Sequence, residues 1–335
     1  MGGGQDVVLV TWMAYADDPD HAQTFERAGL SVRYAPRVAD RSPDELAELV
    51  GDAVAVVADA DPFDATVIAR AARLRVIARV GVGLDSVDLD AATARRIAVT
   101  TAPGTCQAVV AEHAVALMLT LLRRLVELDA DVRAGGWSRG GAATPWQLTG
   151  ATVGLVGYGH IGRGIAQRLQ GFDTTILVHD PQVAEADGAE VVPLEELLAR
   201  SDVVSLNVAL TPDTERLLNR ERLQAMKPSA VLVNTSRGRV VDQAALLEAL
   251  EGSWIRGAAL DVLETEPPTA EGLRALLALP NVVLSPHIGG LSDRSAYAMT
   301  AEAIECVLAV LRGDRPGTLV NPAALEPADP VSMQT

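Results

Sequence analysis

Three side chains, Arg237, Glu266 and His287, have the types that one reaction needs, and each comes after a short apolar run. Reducing a 2-keto acid takes more than a hydride. A cation must bind the carboxylate and polarise the carbonyl, an acid must protonate the oxygen, and a third group must keep that acid charged. Arginine suits the first task because guanidinium grips a carboxylate through two parallel hydrogen bonds. Histidine suits the second, since its ordinary pKa of about 6.5 lets it give and take a proton near neutrality. A neighbouring glutamate favours the imidazolium and fixes its tautomer. Singly, each has a bland reading: an arginine after a strand is a surface or ion-pair residue, and a histidine before Ile-Gly-Gly caps a turn. Jointly on one rim they read as a site.

The rim is a consequence of strand ends. Apolar runs at Val203–Val208, Ala230–Asn234, Gly257–Leu260 and Val282–Leu284 read as strands, and ligands of parallel sheets bind beyond their carboxyl ends. At those ends stand Asn207 and Thr211, then Thr235, Ser236 and Arg237, then Asp261 and Glu266, then His287 with Gly289 and Gly290. Upstream, Val153–Val156 reads as a buried strand and runs straight into Gly157, Gly159 and Gly162, a G-x-G-x-x-G. The first glycine allows a tight turn, the second lets backbone approach a pyrophosphate, and the third lets helix pack on strand. The helix that begins at His160 and Ile161 presents free N–H groups to phosphates. Asp180, eighteen residues past Gly162, closes the next strand, where a carboxylate can accept from an adenosine ribose. With Pro181 and Gln182 after it there is no adjacent arginine for a 2′-phosphate, so NAD is favoured over NADP. The competing reading of the turn is a methyltransferase-type fold.

Composition removes several classes. A formal charge of −16 argues against nucleic acid or an anionic membrane as partner. No apolar run reaches the length of a membrane span, and MGGGQDVVLV lacks the basic region of a signal peptide. Gly2 is no myristoylation signal, because position 6 is Asp. Cys106 and Cys306 make neither a disulfide framework nor a metal quartet, so a reduced cytoplasm is expected. The five histidines (His21, His113, His160, His179 and His287) show no metal-ligand spacing, so no metal is expected. Lys227, the only lysine, precedes a proline at a helix end, which leaves a Schiff-base mechanism without a well-placed amine.

The elements that must position these groups alternate. Residues 6–101 read as five strands (Val7–Thr11, Val32–Ala35, Ala53–Ala58, Val76–Val80, Ala98–Thr100) with helices at His21–Ala28, Pro43–Val50, Asp64–Ala71 and Asp88–Arg95. The turn Val80-Gly81-Val82-Gly83 could be a capped turn or a nest of N–H groups that binds a carboxylate. Residues 107–134 read as one long buried helix, in which Glu112 and His113 form a satisfied polar pair. The helical stretch Asp293–Leu311, with strand-like Thr318–Val320 after it, is expected to complete the first domain. His21 is read as a surface residue and His179 as structural. The fold class is α/β: two Rossmann-like parallel-sheet domains, the inner one doubly wound and NAD-binding, the outer one flavodoxin-like. The expected boundaries are 1–101 plus 288–335 for the substrate domain and 102–287 for the NAD-binding domain.

The motifs VGVGLDSVDL, VAEHAVALML, LTGATVGLVGYGHIGR, LTPDTERLLN, VNTSRGRVVD, ALDVLETEPP and LSPHIGG, spread over residues 50–322, resemble the D-isomer-specific 2-hydroxyacid dehydrogenases, close to phosphoglycerate dehydrogenase-like members. The resemblance implies an NAD-dependent enzyme that interconverts a D-2-hydroxy acid and its 2-keto acid. It implies catalytic Arg237, Glu266 and His287, and a homodimer formed through the NAD-binding domains. It carries cofactor contacts onto His160, Ile161, Asp180, Thr211, Thr235, Asp261 and Gly289, and substrate-carboxylate contacts onto Val80, Gly81, Val82 and Gly83. Many members have His-x-Pro where this chain has Asn207-Val-Ala209, which alters the contacts below the nicotinamide. No regulatory domain of the kind some phosphoglycerate dehydrogenases append is expected. Specificity is expected from loops near Met13–Ala16, Ala58–Pro62 and Val80–Leu84, with Arg79, Arg139 or Arg294 as candidates to reach a second anionic group. The alternative is an NAD-sensing, corepressor-like binding protein on the same scaffold.

Overall fold

A computed structural model describes residues 5–37, 41–141, 144–266, 268 and 270–326. Gly2 and the tail beyond residue 326 therefore lie outside the described residues. The chain divides into two compact units, Met1–Cys106 with Ser292–Thr335, and Gln107–Leu291.

In the first unit, β1 (Val7–Val10), β2 (Ser31–Tyr34), β3 (Ala55–Ala58), β4 (Val76–Arg79) and β5 (Ala98–Thr100) form one parallel sheet in the order β2-β1-β3-β4-β5. This is the flavodoxin-like order. Runs such as Ala55–Ala58 are buried along their whole length, as strands covered on both faces must be. α1 (Pro19–Arg27), α2 (Pro43–Val50), α3 (Ala65–Arg70) and α4 (Leu89–Ala94) lie between the strands. α2 starts on a capping box: Ser42 Oγ accepts from the Glu45 N–H, Glu45 accepts from the Ser42 N–H, and Pro43 stands at the first helical position.

The second unit begins with α5 (Gln107–Leu122) and α6 (Leu125–Arg133). The single long helix expected here is broken, because Arg124 turns left-handed at φ +54° and its guanidinium pairs with Glu127. α5 is buried over much of its surface, whereas α6 has no buried residue, so the two segments need different directions. The unit continues with β6 (Thr152–Val156), α7 (His160–Leu169), β7 (Thr175–His179), β8 (Glu190–Val191), α8 (Leu194–Arg200), β9 (Val203–Leu206), α9 (Arg220–Ala225), β10 (Val231–Asn234), α10 (Gln243–Glu251), β11 (Gly257–Leu260), α11 (Ala270–Leu277) and β12 (Val282–Leu284). The sheet is parallel throughout, in the order β12-β11-β10-β9-β6-β7-β8. Its strand order reverses across the β6–β9 pair, which is the doubly wound switch point. α5 and α7 cover one face with Met118, Ile165 and Leu169; α8, α9 and α10 cover the other with Leu197, Leu223 and Leu246.

α12 (Asp293–Arg312), started by the Ser292 hydroxyl and ended by Gly313 at φ +91°, belongs to the first unit, where Met299, Ile304, Val307 and Val310 join the core of β1, β3 and β4. Thr318–Val320 does not form the expected strand. Leu319 makes one bridge to Thr100 and Val320 donates its N–H to the Val99 carbonyl, while the Asn321 side chain accepts from the Val99 N–H and donates to the Ile97 carbonyl. His21, expected at the surface, is buried; its ring stacks on Tyr15 and lies tilted against Tyr297. Trp12 and Tyr15 face the core, with the Trp12 indole N–H bonded to Thr300, which leaves Met13 exposed in that loop.

Candidate active site

The turn after β6 is built by close approach. A Cβ on Gly157 (φ +92°) would sit 2.6 Å from the Asn207 carbonyl oxygen, and one on Gly162 2.3 Å from that of Gly157. Gly159 is different, since a Cβ there would meet nothing within 4 Å. It is the N-cap of α7 and offers no side chain to the first N–H groups of the helix, which begins at His160 and Ile161. Asp180 closes the turn by accepting from the Tyr158 and Gln182 N–H groups through its two oxygens. The open space at Gly159, the uncapped helix start and a carboxylate held at the end of β7 fit a dinucleotide. A further observation agrees: Thr235 Oγ1 is buried without a hydrogen-bond partner.

The loops after β10, β11 and β12 assemble the proposed catalytic groups. Asn234, 1% exposed, shapes the first loop: its side chain accepts from the Ser236 N–H and hydroxyl and donates to the Arg237 carbonyl. Gly238 joins this loop to the next. A Cβ there would lie 1.9 Å from the Leu263 carbonyl group, so only glycine lets the arginine loop pack against the glutamate loop. Leu263 in turn donates its N–H to Glu266 Oε1 at 2.8 Å, and Glu266 Oε2 meets His287 Nδ1 at 2.5 Å. Glu266 is thereby held at both oxygens. With Nδ1 engaged by the carboxylate, Nε2 is the ring atom left to exchange a proton with substrate.

Asp261 holds the histidine loop. Its carbonyl accepts the His287 N–H at 2.8 Å, Oδ1 accepts the Ser285 hydroxyl at 2.6 Å and the Ile288 N–H at 3.0 Å, and Oδ2 accepts the Gly289 N–H at 2.8 Å. Burial alone would push this carboxyl up, but hydrogen bonds from His113, Ser285, Gly289 and Ile288 hold it below its ordinary value. Both Asp261 oxygens are thus engaged by the protein. Asn207 also turns inward, exchanging hydrogen bonds with Ser205. Thr211 pairs with Thr214, and Ser236 with Asn234. His179 meets the Val192 carbonyl through Nδ1, a structural place. Glu112 and His113 do not pair with each other: Glu112 meets Arg168 at 2.9 Å, and His113 turns toward Ser285 and Asp261.

In the first unit, the turn is open at Gly81–Gly83, but Val80, also expected to meet the substrate carboxylate, is buried and gives its N–H to the Ala58 carbonyl. Gly81 takes φ +136° with nothing near its missing Cβ, while its carbonyl accepts the Ala102 N–H. Arg79, a candidate for reaching a second anion, is 6% exposed and committed to backbone carbonyls of Ala58, Asp59 and Gly83. Arg41 is likewise held by buried Asp61 at 2.9 Å. Arg139 and Arg294 are exposed. Among the described residues, no group of three or more His, Cys, Asp or Glu side chains could hold a metal ion, and no helix is long and apolar enough to cross a membrane. Gly238, Asn234, Ser285 and the loop-holding role of Asp261 were not legible from spacing; the only sign of each was a small or polar residue near a chemical one.

A doubly wound dinucleotide unit with an Arg–Glu–His rim, in one chain with a flavodoxin-like unit, defines a class of hydroxyacid oxidoreductases. The family model described as "D-isomer specific 2-hydroxyacid dehydrogenase, NAD binding domain" matches residues 115–289. A glyoxylate reductase of Pyrococcus furiosus is 43% identical over 289 residues, covering 83% of this chain and 85% of that one. Among solved structures, the TT0316 protein of Thermus thermophilus superposes with a TM-score of 0.86 at 40% identity, covering 94% of this chain and 99% of that one. D-Lactate dehydrogenase from Aquifex aeolicus, complexed with NAD and lactic acid, does so at 0.83 and 29%, with the same coverage. The chain belongs to the D-isomer specific 2-hydroxyacid dehydrogenase family. It is an NAD-dependent oxidoreductase that interconverts a D-2-hydroxy acid and its 2-keto acid. The methyltransferase reading falls with the NAD-binding match, and the corepressor-like alternative draws no support from the relatives.

Proposed function

We propose that this chain reduces a small 2-keto acid, with glyoxylate and hydroxypyruvate foremost, using Arg237 to bind and polarise the substrate, His287 as proton donor and Glu266 to orient and charge it. The 2.5 Å contact between His287 Nδ1 and Glu266 Oε2 carries this reading. The cofactor supplies hydride; the chain supplies everything else. Gly157, Gly159, Gly162 and the N–H groups of His160 and Ile161 would hold its pyrophosphate, Asp180 its ribose, and Thr235 the nicotinamide side. Asp180 would repel a 2′-phosphate, favouring NADH over NADPH. The first unit acts as the substrate domain, with the N–H groups of Gly81, Val82 and Gly83 for the carboxylate. The similarity to glyoxylate reductases supports a small substrate. The commitment of Arg79 to carbonyls and of Arg41 to Asp61 supports one without a second anionic group.

The test is NADH oxidation against glyoxylate, hydroxypyruvate, pyruvate, 2-ketoglutarate and phosphohydroxypyruvate. Arg237→Ala and His287→Ala should each lower kcat/KM by at least about 10²-fold, the usual worth of one positioned acid or oxyanion donor, with NADH still bound. Full activity in either variant overturns the assignment. Glu266→Gln leaves His287 Nδ1 without its carboxylate partner, so kcat/KM should fall by about ten-fold or more with NADH still bound. Unchanged turnover removes Glu266 from the role.

We also place the enzyme in the cytoplasm as a homodimer joined through the NAD-binding units. Leu125, Val126 and Val132 on α6 and the nearby Trp137 are each more than half exposed, an apolar surface that a partner would cover. Light scattering reads the state, and a monomer at micromolar concentration refutes the dimer.

A further inference from the structure

His287 stands in a conformation that its own residue type does not favour. A non-glycine residue at φ +54° is strained and keeps that shape only where its surroundings over-determine it. The surroundings here are the Asp261 carbonyl and carboxylate, which receive three successive N–H groups from His287, Ile288 and Gly289. The aim of the His287 ring therefore depends on how firmly the Asp261 carboxylate is fixed.

A side chain from another element fixes it. His113 lies on α5, whose neighbours Ala111, Ala114 and Val115 are buried in the core. Its Nε2 is 3.0 Å from Ser285 Oγ and 3.3 Å from Asp261 Oδ1. The one hydroxyl hydrogen of Ser285 goes to Asp261 Oδ1 at 2.6 Å, so the contact with His113 requires Nε2–H as donor. The ring also backs the loop sterically, since a Cβ on Gly289 would lie 3.3 Å from His113 Cδ2. One imidazole thus ties a rigid helix to both the serine that precedes the catalytic histidine and the carboxylate that grips the residues after it.

We propose that His113 is a positioning residue for proton transfer: through Ser285 and Asp261 it clamps the 285–289 loop and sets the orientation of His287. The inference rests on the assignment of His287 as the proton donor. It separates two effects that a structural residue would merge, because a loosened loop misaims the proton donor without emptying the dinucleotide turn, which is built from β6, α7 and β7.

The decisive variant is His113→Leu, compared with His113→Gln, whose amide nitrogen can stand where Nε2 donates. Active sites are counted by NADH titration, and turnover is measured with NADH and with NADH deuterated at the transferred position. The expected result for His113→Leu is NADH affinity within about two-fold of wild type. Its kcat per bound NADH should fall about ten-fold, with a larger deuterium isotope effect because the chemical step becomes limiting. His113→Gln should recover most of both, and Ser285→Ala should resemble His113→Leu. The proposal is overturned by a wild-type kcat and isotope effect in His113→Leu, by a loss that only tracks the number of NADH-binding sites, or by failure of His113→Gln to recover activity. His287→Ala is run alongside. If it remains active, the assignment of His287 falls and this inference with it; if it is inactive while His113→Leu is normal, only this inference falls.

Discussion

Asp59 comes directly after β3 of the five-stranded sheet and Asp261 directly after β11 of the seven-stranded sheet, each at the carboxyl end of a parallel strand. Their electrostatics are opposite. Burial raises the Asp59 carboxyl; the Ala60 N–H and Arg79 pull it back only in part, and Asp61 nearby pushes it further up. At Asp261 burial also acts upward, but the hydrogen bonds from His113, Ser285, Gly289 and Ile288 outweigh it and the carboxyl is lowered. The same residue in the same kind of place becomes a tolerated charge or a fastener according to how many donors converge on it.

Asp261→Asn should break the fastener, since one side of the amide turns hydrogens toward groups that are themselves donors. A loss of roughly 2–3 kcal/mol is expected, or about 5–10 °C in Tm by calorimetry, with a fall in turnover. An unchanged Tm would mean that the hydrogen bonds to Asp261 contribute little. Acidification sharpens the contrast. With its folded value below the unfolded ~3.9, Asp261 stabilises at every pH above that value, and the contribution is lost as pH falls through the lowered folded value. Asp59, with its folded value raised, opposes folding near neutrality, and the penalty disappears as pH falls toward the unfolded value. The Tm difference between wild type and Asp59→Asn should therefore shrink between pH 7 and about 4. The difference between wild type and Asp261→Asn should shrink only below about 4. The smallest effect is Asp59→Asn itself at pH 7: Tm unchanged or raised by about 2 °C. A loss as large as that at Asp261 would erase the distinction between the two sites.

How much of this was legible depended on the range of the interaction concerned. Apolar runs of three to six residues between polar helices announced both parallel sheets, because a strand covered on two faces must be apolar throughout. Gly157, Gly159, Gly162 and Asp180 stood out because a phosphate-binding turn constrains neighbours in the chain. Arg237, Glu266 and His287 were readable as types, since the reaction itself dictates guanidinium, carboxylate and imidazole. Their surroundings were not readable in that way. Gly238 is glycine on account of Leu263, twenty-five residues on; Asp261 is held by His113, one hundred and forty-eight residues before it. The burial of His21 under Tyr297 and the retreat of Arg79 into backbone carbonyls belong to the same group.

The amino-acid sequence by itself determined the periodicities, the glycine turn and the chemical types at the strand ends, which are local properties of a chain. Tertiary structure alone decided which of those groups are held, by what and in which direction. Hydrogen bonds and close contacts between distant residues depend on the packing of whole elements, and no short stretch of sequence contains that information.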